Sequence, residues 1–261
     1  MSYVNVDGLD LWYDERGSGE PLILLHGGMG ASEMWGDNLD RLAAGRRLIT
    51  VDLPGHGHTA SPDGPLRYEK VADQIAGLVE HLGLAQADLM GLSLGGGVAI
   101  RTAIQHPGLI RRLVVVSAPC RQDGWFPEVL AGQAALGPEA AAMIKPSPFG
   151  QVYAEVAPHP EDWEKHVCEV GELLRQPYDW SDGVPTITAP VLLLFGDTDS
   201  IRPAHIVEFF ALLGGGQSDP GWDGVPGPAQ LAILPAHTHY VMSLSPAVAE
   251  AAAKFLDEKK D

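Results

Sequence analysis

The sequence predicts an α/β domain in which helices cover both faces of a mostly parallel central sheet. Strand-length apolar runs alternate along the chain with segments of helical periodicity, which is the pattern of βαβ units. The runs at 21–26, 47–52 and 191–195 are almost continuously apolar, as expected of strands that are buried on both faces. The alternation stops once, between 119 and 188, where no convincing strand occurs. We therefore expect one sheet that carries a helical insertion.

Local patterns predict the elements of the first half. In chain order we expect strands at 3–6, 11–14, 21–26 and 47–52, helices over 33–44 and 68–82, and a strand that ends at Met90. The Asp7-Gly8 turn makes the first two strands antiparallel. Ser32 is a suitable N-cap for the first helix. Gly83 ends the second helix, whose apolar residues recur at helical spacing.

The second half divides the chain into a core and an insertion. In chain order we expect a helix from Leu94 to before Pro107, strands at 110–117, 191–195 and 230–234, helices over 203–213 and 246–256, and, inside the insertion, helical stretches at 127–136 and 161–174. The core is then 1–118 with 189–261, and 119–188 is a helical cap insertion over the carboxyl edge, where α/β sheets bind ligands. The stretch 214–228 is rich in glycine and proline and predicts a loop at the opposite edge.

Composition narrows the class of protein. The chain has 34 Asp and Glu against 17 Lys and Arg, a formal net charge of −17, which argues against nucleic acid or anionic membrane as a partner. No secretory signal or membrane-length apolar run is visible, and Cys120 and Cys168 are typical of free thiols in a reducing compartment. We expect a cytoplasmic protein with a small-molecule substrate and no metal, since its histidines are scattered. The oligomeric state stays open.

The most informative motif is Gly91-Leu92-Ser93-Leu94-Gly95, which lies between an apolar strand and a helix. Such a turn holds the serine in a strained conformation with its hydroxyl above the sheet edge. A Cβ at either flanking glycine would collide with the neighbouring strand or helix. The N–H groups after the serine lie at a helix N-terminus, which favours developing negative charge. Ser93 is therefore the candidate nucleophile.

Candidates for the partners of this serine follow two later strands. Asp197 and Asp199 come after one apolar strand, and His237 and His239 come after the next. Serine, acid and histidine at the ends of separate parallel strands, in this order, are typical of one kind of catalytic triad. The histidine would remove the hydroxyl proton of Ser93, and the acid would hold the imidazole in the tautomer that accepts it. The pattern does not decide which of the two acids and which of the two histidines would act on Ser93.

The motifs together resemble the α/β-hydrolase superfamily, and specifically its small capped esterase, enol-lactonase and epoxide-hydrolase-like branch. The resemblance covers nearly the whole chain and depends on His26-Gly27-Gly28, Asp52-Leu53-Pro54-Gly55-His56-Gly57, the Ser93 turn, Gly196-Asp197-Thr198-Asp199 and His239, in that order. It implies the α/β-hydrolase fold. It also implies that the acid is Asp199, with Asp197 as the alternative, and that the base is His239, with His237 as the alternative.

The resemblance also implies an oxyanion hole formed by two backbone N–H groups. The N–H of Leu94 follows from the turn itself, and relatives take the second from the position that Gly28 occupies here. His26 and His56 match motif residues that brace loops. Met29 and Trp125 are expected as walls of the substrate pocket. The other aromatic side chains of the insertion either line this pocket or pack the cap: Phe126, Phe149, Tyr153, Trp163, Tyr178 and Trp180.

The expected reaction is hydrolysis of a carboxylic ester or lactone through an acyl-enzyme on Ser93, without a cofactor. A serine at the turn excludes the aspartate-nucleophile mechanism that the resemblance implies for dehalogenases and epoxide hydrolases. A C–C bond hydrolase would use the same triad with a basic group to hold a dienol-carboxylate, for which Arg121 is the candidate. A perhydrolase, an acyltransferase and a non-catalytic small-molecule binder of the same fold are further alternatives.

Overall fold

The structure is a computed structural model that describes residues 2–222, 224 and 227–258. The strands of these residues are β1 (Ser2–Val6), β2 (Leu9–Gly17), β3 (Glu20–Leu25), β4 (Arg46–Val51), β5 (Ala87–Leu92), β6 (Ile110–Val116), β7 (Val191–Thr198) and β8 (Ala229–Thr238). Their α-helices are α1 (Asn38–Ala43), α2 (Tyr68–His81), α3 (Leu94–Gln105), α4 (Pro127–Ala134), α5 (Pro138–Ile144), α6 (Pro148–Val156), α7 (Trp163–Arg175), α8 (Pro203–Leu212) and α9 (Pro246–Leu256).

The eight strands form one sheet in the order β1-β2-β4-β3-β5-β6-β7-β8. β2 pairs antiparallel with β1 and β4, and the pairs from β4 through to β8 are parallel. The mostly parallel sheet of the predicted fold class is therefore confirmed. Because β5, β6, β7 and β8 are consecutive neighbours, the residues that follow them meet at one edge of the sheet.

Both faces of the sheet are buried under helices. Side chains alternate along each strand, so neighbouring residues of β3 pack on opposite faces. Leu22 and Leu24 belong to the cluster with α1 and α9. Ile23 and Leu25 belong to the larger cluster with α2, α3 and α8. This double burial explains why the central strands are continuously apolar in sequence.

Residues 119–188, which we call the cap segment, connect β6 to β7 through α4, α5, α6 and α7. This segment contains no named strand and contributes only single bridges, such as that between Arg121 and Asp179. Val170 and Leu173 of α7 join the main core cluster. Tyr153 and Trp163 belong to a smaller cluster within the cap segment. The segment is thus anchored to the main core through α7 and also through residues at its two ends, such as Trp125 and Trp180.

Predicted elements differ from the structure at one helix and at several strand ends, since β2 spans 9–17 rather than 11–14 and β5 ends at Leu92 rather than at Met90. The prediction of one continuous helix over 33–44 is wrong, because a 3-10 turn at Ser32–Trp35 is separated from α1 by Gly36, which has a φ of +51°. A residue with this φ cannot continue a right-handed helix. The last strand is longer than predicted, since β8 extends to Thr238 and pairs there with Thr198 past an irregularity in register. His239 therefore follows β8 directly.

Among the described residues, none of the helices combines the length and the apolar composition needed to cross a bilayer. Cys120 and Cys168 are both free thiols, as predicted. Cys120 is buried, and burial raises the pKa of its thiol to about 12. Its thiol is therefore protonated at neutral pH and is a poor nucleophile.

Candidate active site

Ser93 occupies a one-residue turn between β5 and α3. Its φ of +53° and ψ of −115° lie outside the ordinary regions for a residue with a side chain. Its N–H donates to the Val116 carbonyl at 2.9 Å, which ties the turn to β6. A Cβ at Gly91 would lie 2.1 Å from the Gly95 carbonyl oxygen, and one at Gly95 would lie 2.3 Å from that of His26. The two glycines are therefore required for the turn to form.

Three side chains form a continuous hydrogen-bonded chain at this edge. The Ser93 hydroxyl lies 2.9 Å from Nε2 of His239, and Nδ1 of His239 lies 2.9 Å from Oδ1 of Asp199. An ionised carboxylate only accepts, so Nδ1 carries the imidazole proton and donates it to Asp199. Nε2 then keeps its lone pair and accepts from the Ser93 hydroxyl. This arrangement allows His239 to take the proton of Ser93.

Asp199 is buried and accepts several hydrogen bonds. Burial by itself would raise the pKa of its carboxyl, but the hydrogen bonds outweigh it and lower the pKa from its usual value. The donors besides His239 are the Ser117 hydroxyl at 2.5 Å, the Gly196 N–H at 3.1 Å and the Ser200 N–H at 2.7 Å. Asp199 therefore stays ionised and held in one orientation at neutral pH.

Ser117 also belongs to the site, although it was not among the predicted site residues. This residue follows β6 and has a φ of +50°, so it is a second strained residue at the same sheet edge. Its side chain reaches Asp199 because β6 and β7 are neighbours in the sheet. A hydroxyl residue directly after the strand that precedes the acid strand is the signal that could have identified it.

The alternative acid and base lie outside this hydrogen-bonded chain. Asp197 accepts the backbone N–H of His237 at 3.3 Å. The ring of His237 contacts the Pro235 carbonyl at 2.8 Å and the Ser245 hydroxyl at 2.6 Å. The side chain of Asp197 therefore stabilises the end of β8, and the ring of His237 links β8 to the residue before α9. The geometry brings Asp199 and His239, rather than these two residues, to Ser93.

Two backbone N–H groups next to Ser93 have no hydrogen-bond partner among the residues described. They belong to Leu94, the first residue of α3, and to Gly28 in the loop after β3. A Cβ at Gly28 would lie 3.4 Å from Cδ1 of Leu94, so the two loops pass close to each other. Free N–H groups at a helix N-terminus favour negative charge. They are available to an oxygen held above Ser93.

His26 and His56 hold the loops around the site. Nε2 of His26 accepts the Leu53 N–H at 3.0 Å, and its Nδ1 contacts the Gly27 carbonyl at 2.7 Å. Nδ1 of His56 contacts the Pro54 carbonyl at 3.0 Å. Burial lowers the pKa of both imidazoles, so both are neutral at neutral pH. Their contacts are those of structural residues.

One group of side chains has the spacing of a cation site. Glu33, Asp52 and His58 each place a potential ligand atom within 4.8 Å of the others. However, Oδ1 of Asp52 accepts the N–H and hydroxyl of Ser32, and its Oδ2 contacts the N–H and the ring of His58. Protein donors thus already occupy both oxygens. The donor set fits a brace between two loops better than a metal centre.

A cavity of about 460 Å³ lies between the Ser93 edge and the cap segment. Met29 and Trp125 line it, as does Phe149 of α6. The indole N–H of Trp125 donates to the Tyr178 hydroxyl at 3.0 Å, and its ring meets the ring of His239 edge-on. The other aromatic residues named for this pocket do not line the cavity: Phe126, Tyr153, Trp163, Tyr178 and Trp180.

The comparisons with known proteins agree with this architecture. The sequence profile of the alpha/beta hydrolase family matches residues 22–253. The pimeloyl-(acyl-carrier protein) methyl ester esterase of Vibrio vulnificus is 30% identical over 224 residues, covering 76% of this chain and 84% of that protein. The enol-lactonase of Burkholderia xenovorans has a similar structure, with a TM-score of 0.76 at 23% identity over 98% of this chain and 100% of that one.

A thermophilic esterase from Thermogutta terrifontis is also similar, with a TM-score of 0.69 at 25% identity over 98% of this chain and 96% of that one. The family profile covers most of the sequence, including the residues that build the Ser93 turn and those that follow β7 and β8. The relatives span hydrolases whose names include esterases and a lactonase. The chain belongs to the alpha/beta hydrolase family, and its class of activity is hydrolysis.

Proposed function

We propose that this protein is a serine hydrolase that cleaves a carboxylic ester or lactone through an acyl-enzyme on Ser93. The observation that carries the proposal is the hydrogen-bonded chain from Ser93 through His239 to Asp199 at the base of the cavity. In this proposal Ser93 is the nucleophile, His239 is the general base and then the general acid, and Asp199 orients the imidazole. No cofactor is required for this chemistry.

In the acylation step, Oγ of Ser93 attacks the carbonyl carbon while its proton passes to Nε2 of His239. The negative charge that develops on the carbonyl oxygen is stabilised by the N–H groups of Gly28 and Leu94, the proposed oxyanion hole. When the bond to the leaving oxygen breaks, His239 returns the proton to that oxygen. A lactone opens in the same step and leaves its alcohol attached to the acyl chain.

In the second step, water replaces the alcohol. His239 removes a proton from the water, whose oxygen attacks the acyl carbon and releases Ser93 with its proton restored. We propose that the cap segment, 119–188, works as a cap that shapes the cavity over this chemistry. Met29 and Trp125 form walls of the substrate pocket in this proposal, since both line the cavity.

An ester or lactone is favoured over the alternative substrates. Arg121, the basic side chain that a C–C bond hydrolase would use, forms ion pairs with Asp123 and Glu208 and does not line the cavity. A similar protein at 30% identity is a methyl ester esterase, which supports the same substrate class. The small-molecule partner is therefore an ester or lactone in this proposal.

Labelling of the nucleophile tests the proposal. We expect a fluorophosphonate probe to modify one peptide, the one that contains Ser93, and p-nitrophenyl butyrate to be hydrolysed by the same protein. Ser93→Ala should remove both signals and reduce turnover by about 10⁴-fold or more. Ser218→Ala, which changes an exposed loop serine, should reduce neither. Label on another residue, or turnover that survives Ser93→Ala, would overturn the proposal.

A further inference from the structure

Among the described residues, one acidic side chain and no lysine or arginine line the cavity. Of the described residues that line it, Glu128 is the single carboxylate, and the histidines are His26 and His239. Apolar side chains form most of the remaining wall, among them Leu136 and Val170. A carboxylate on a substrate would therefore enter an apolar space without a positive partner. Burial of an unpaired charge is strongly unfavourable.

Two arginines that lie one or two positions after cavity-lining residues are engaged elsewhere. Arg202 donates to the backbone carbonyl of Asp123 and lies 3.7 Å from its carboxylate, which also pairs with Arg121. Arg175 donates to the backbone carbonyls of Ala134 and Leu136, where it stabilises the end of α4. These contacts hold the guanidinium groups away from the cavity lining. They supply no anion-binding group to the site.

The surroundings of the cavity are acidic as well. The cap segment contains eleven Asp and Glu residues against four Lys and Arg residues, and the whole chain has a net charge of −17. A surface of one sign lowers the local concentration of ligands of the same sign. Anionic molecules are thus disfavoured both on approach and after entry.

Glu128 lies on the cavity side of α4. Four residues of this helix line the cavity, and they follow helical spacing: Glu128, Val129, Gly132 and Gln133. A Cβ at Gly132 would have no atom within 4 Å, so this helix face leaves open space one turn beyond Glu128. An extended acyl chain that passes under α4 would bring its far end close to the carboxylate. Glu128 itself is exposed and therefore lies at the mouth.

We propose that the site takes esters or lactones with an uncharged, apolar acyl chain and rejects those with a terminal carboxylate, and that Glu128 is a specificity-determining residue. This inference rests on the proposed hydrolytic function and names its substrate class. The rejection has two parts: the lack of a cationic partner in the cavity and the repulsion by Glu128. The second part can be removed by one substitution.

Two esters of equal length test this selectivity. Methyl hexanoate and monomethyl adipate differ only in a terminal methyl against a terminal carboxylate. We expect the wild-type protein to favour methyl hexanoate by about 100-fold in kcat/KM. Glu128→Gln should reduce this ratio about fivefold, and Glu128→Lys should reduce it further because the lysine attracts the carboxylate. The difference between wild type and Glu128→Gln should shrink in high salt.

Glu139→Gln is the matched control. Glu139 is an exposed acid in the first turn of α5 and follows a proline, as Glu128 does in α4, but it does not line the cavity. The Glu139→Gln variant should leave the ratio of kcat/KM for the two esters unchanged. Equal rates for the two esters in the wild-type protein, or equal ratios in Glu128→Gln and Glu139→Gln, would overturn this inference while Ser93 labelling still succeeds. If the protein is not a serine hydrolase, Ser93 will not be labelled and neither ester will be hydrolysed.

Discussion

The floor and the roof of the cavity are built in different ways. The floor consists of the carboxyl ends of the parallel strands and the loops that follow them, and its polar side chains hydrogen-bond to one another from Ser93 to Asp199. The roof consists of cap-segment helices that present mainly apolar side chains, such as Val129 of α4 and Val170 of α7. Strained backbone occurs in the floor at Ser93 and Ser117. Strain and buried hydrogen bonds make the floor intolerant of change, whereas the roof depends on shape and charge.

The largest expected effect concerns the acid of the floor. Asp199→Asn keeps the size of the side chain, but an amide can donate to Nδ1 and so stabilises the imidazole tautomer that cannot accept from Ser93. We expect kcat/KM for p-nitrophenyl butyrate to fall by about 10⁴-fold. Asp197→Asn changes the neighbouring exposed acid and should alter kcat/KM by less than about threefold. A larger loss in Asp197→Asn would reverse the assignment of the two acids.

A smaller effect compares one glycine of the floor with one of the roof. Gly91→Ala places a Cβ 2.1 Å from a backbone oxygen, so the turn must deform, and we expect a loss of about 3 kcal/mol or more in the free energy of unfolding. Gly132→Ala meets no atom within 4 Å and improves helix propensity, so it should stabilise the protein by about 0.5–1 kcal/mol. Urea denaturation measures both. Equal stability of the two variants would contradict the distinction between floor and roof.

A contact between the floor and the roof predicts that the free energy of unfolding depends on pH. His56 of the floor and His166 of α7 are buried with ring centroids 4.6 Å apart, and His166 also stacks on Tyr153. Burial, with the nearby His26, lowers the pKa of His166 to about 3. The unfolded chain has the ordinary value of about 6.5 and binds the proton first as the pH falls. Stability should therefore decrease from pH 6.5 downward by about 1.4 kcal/mol per pH unit for His166 alone.

His166→Leu tests this origin of acid sensitivity. Leucine is similar in size and does not titrate, so the variant should lose stability less steeply with acid between about pH 6 and 4. His159→Leu alters an exposed histidine of the cap segment and should keep the wild-type slope. Urea denaturation at several pH values gives the slopes. Identical slopes in His166→Leu and wild type would show that the acid sensitivity arises elsewhere.

The floor could be predicted from the sequence more completely than the roof. The strands of the floor are predictable because continuous apolar runs and glycine-rich turns are local patterns, and β3 to β8 are close to their predicted positions. The insertion between β6 and β7 was predictable only as helical. Which of its aromatic side chains line the cavity was not predictable, since Trp125 and Phe149 do so while Trp163 does not. A helix face is chosen by packing partners that are distant in sequence.

The sequence by itself determined the α/β class, the strained turn at Ser93 and the order of the acid and histidine strands, because these depend on residues that are neighbours along the chain. Only the tertiary structure decided that Asp199 and His239, rather than Asp197 and His237, join Ser93, and that Ser117 supports the acid. Those contacts depend on the neighbouring positions of β5, β6, β7 and β8 in the sheet and on the direction of each side chain. Neither can be derived from spacing alone, because hydrogen bonds require distances near 3 Å between residues far apart in sequence.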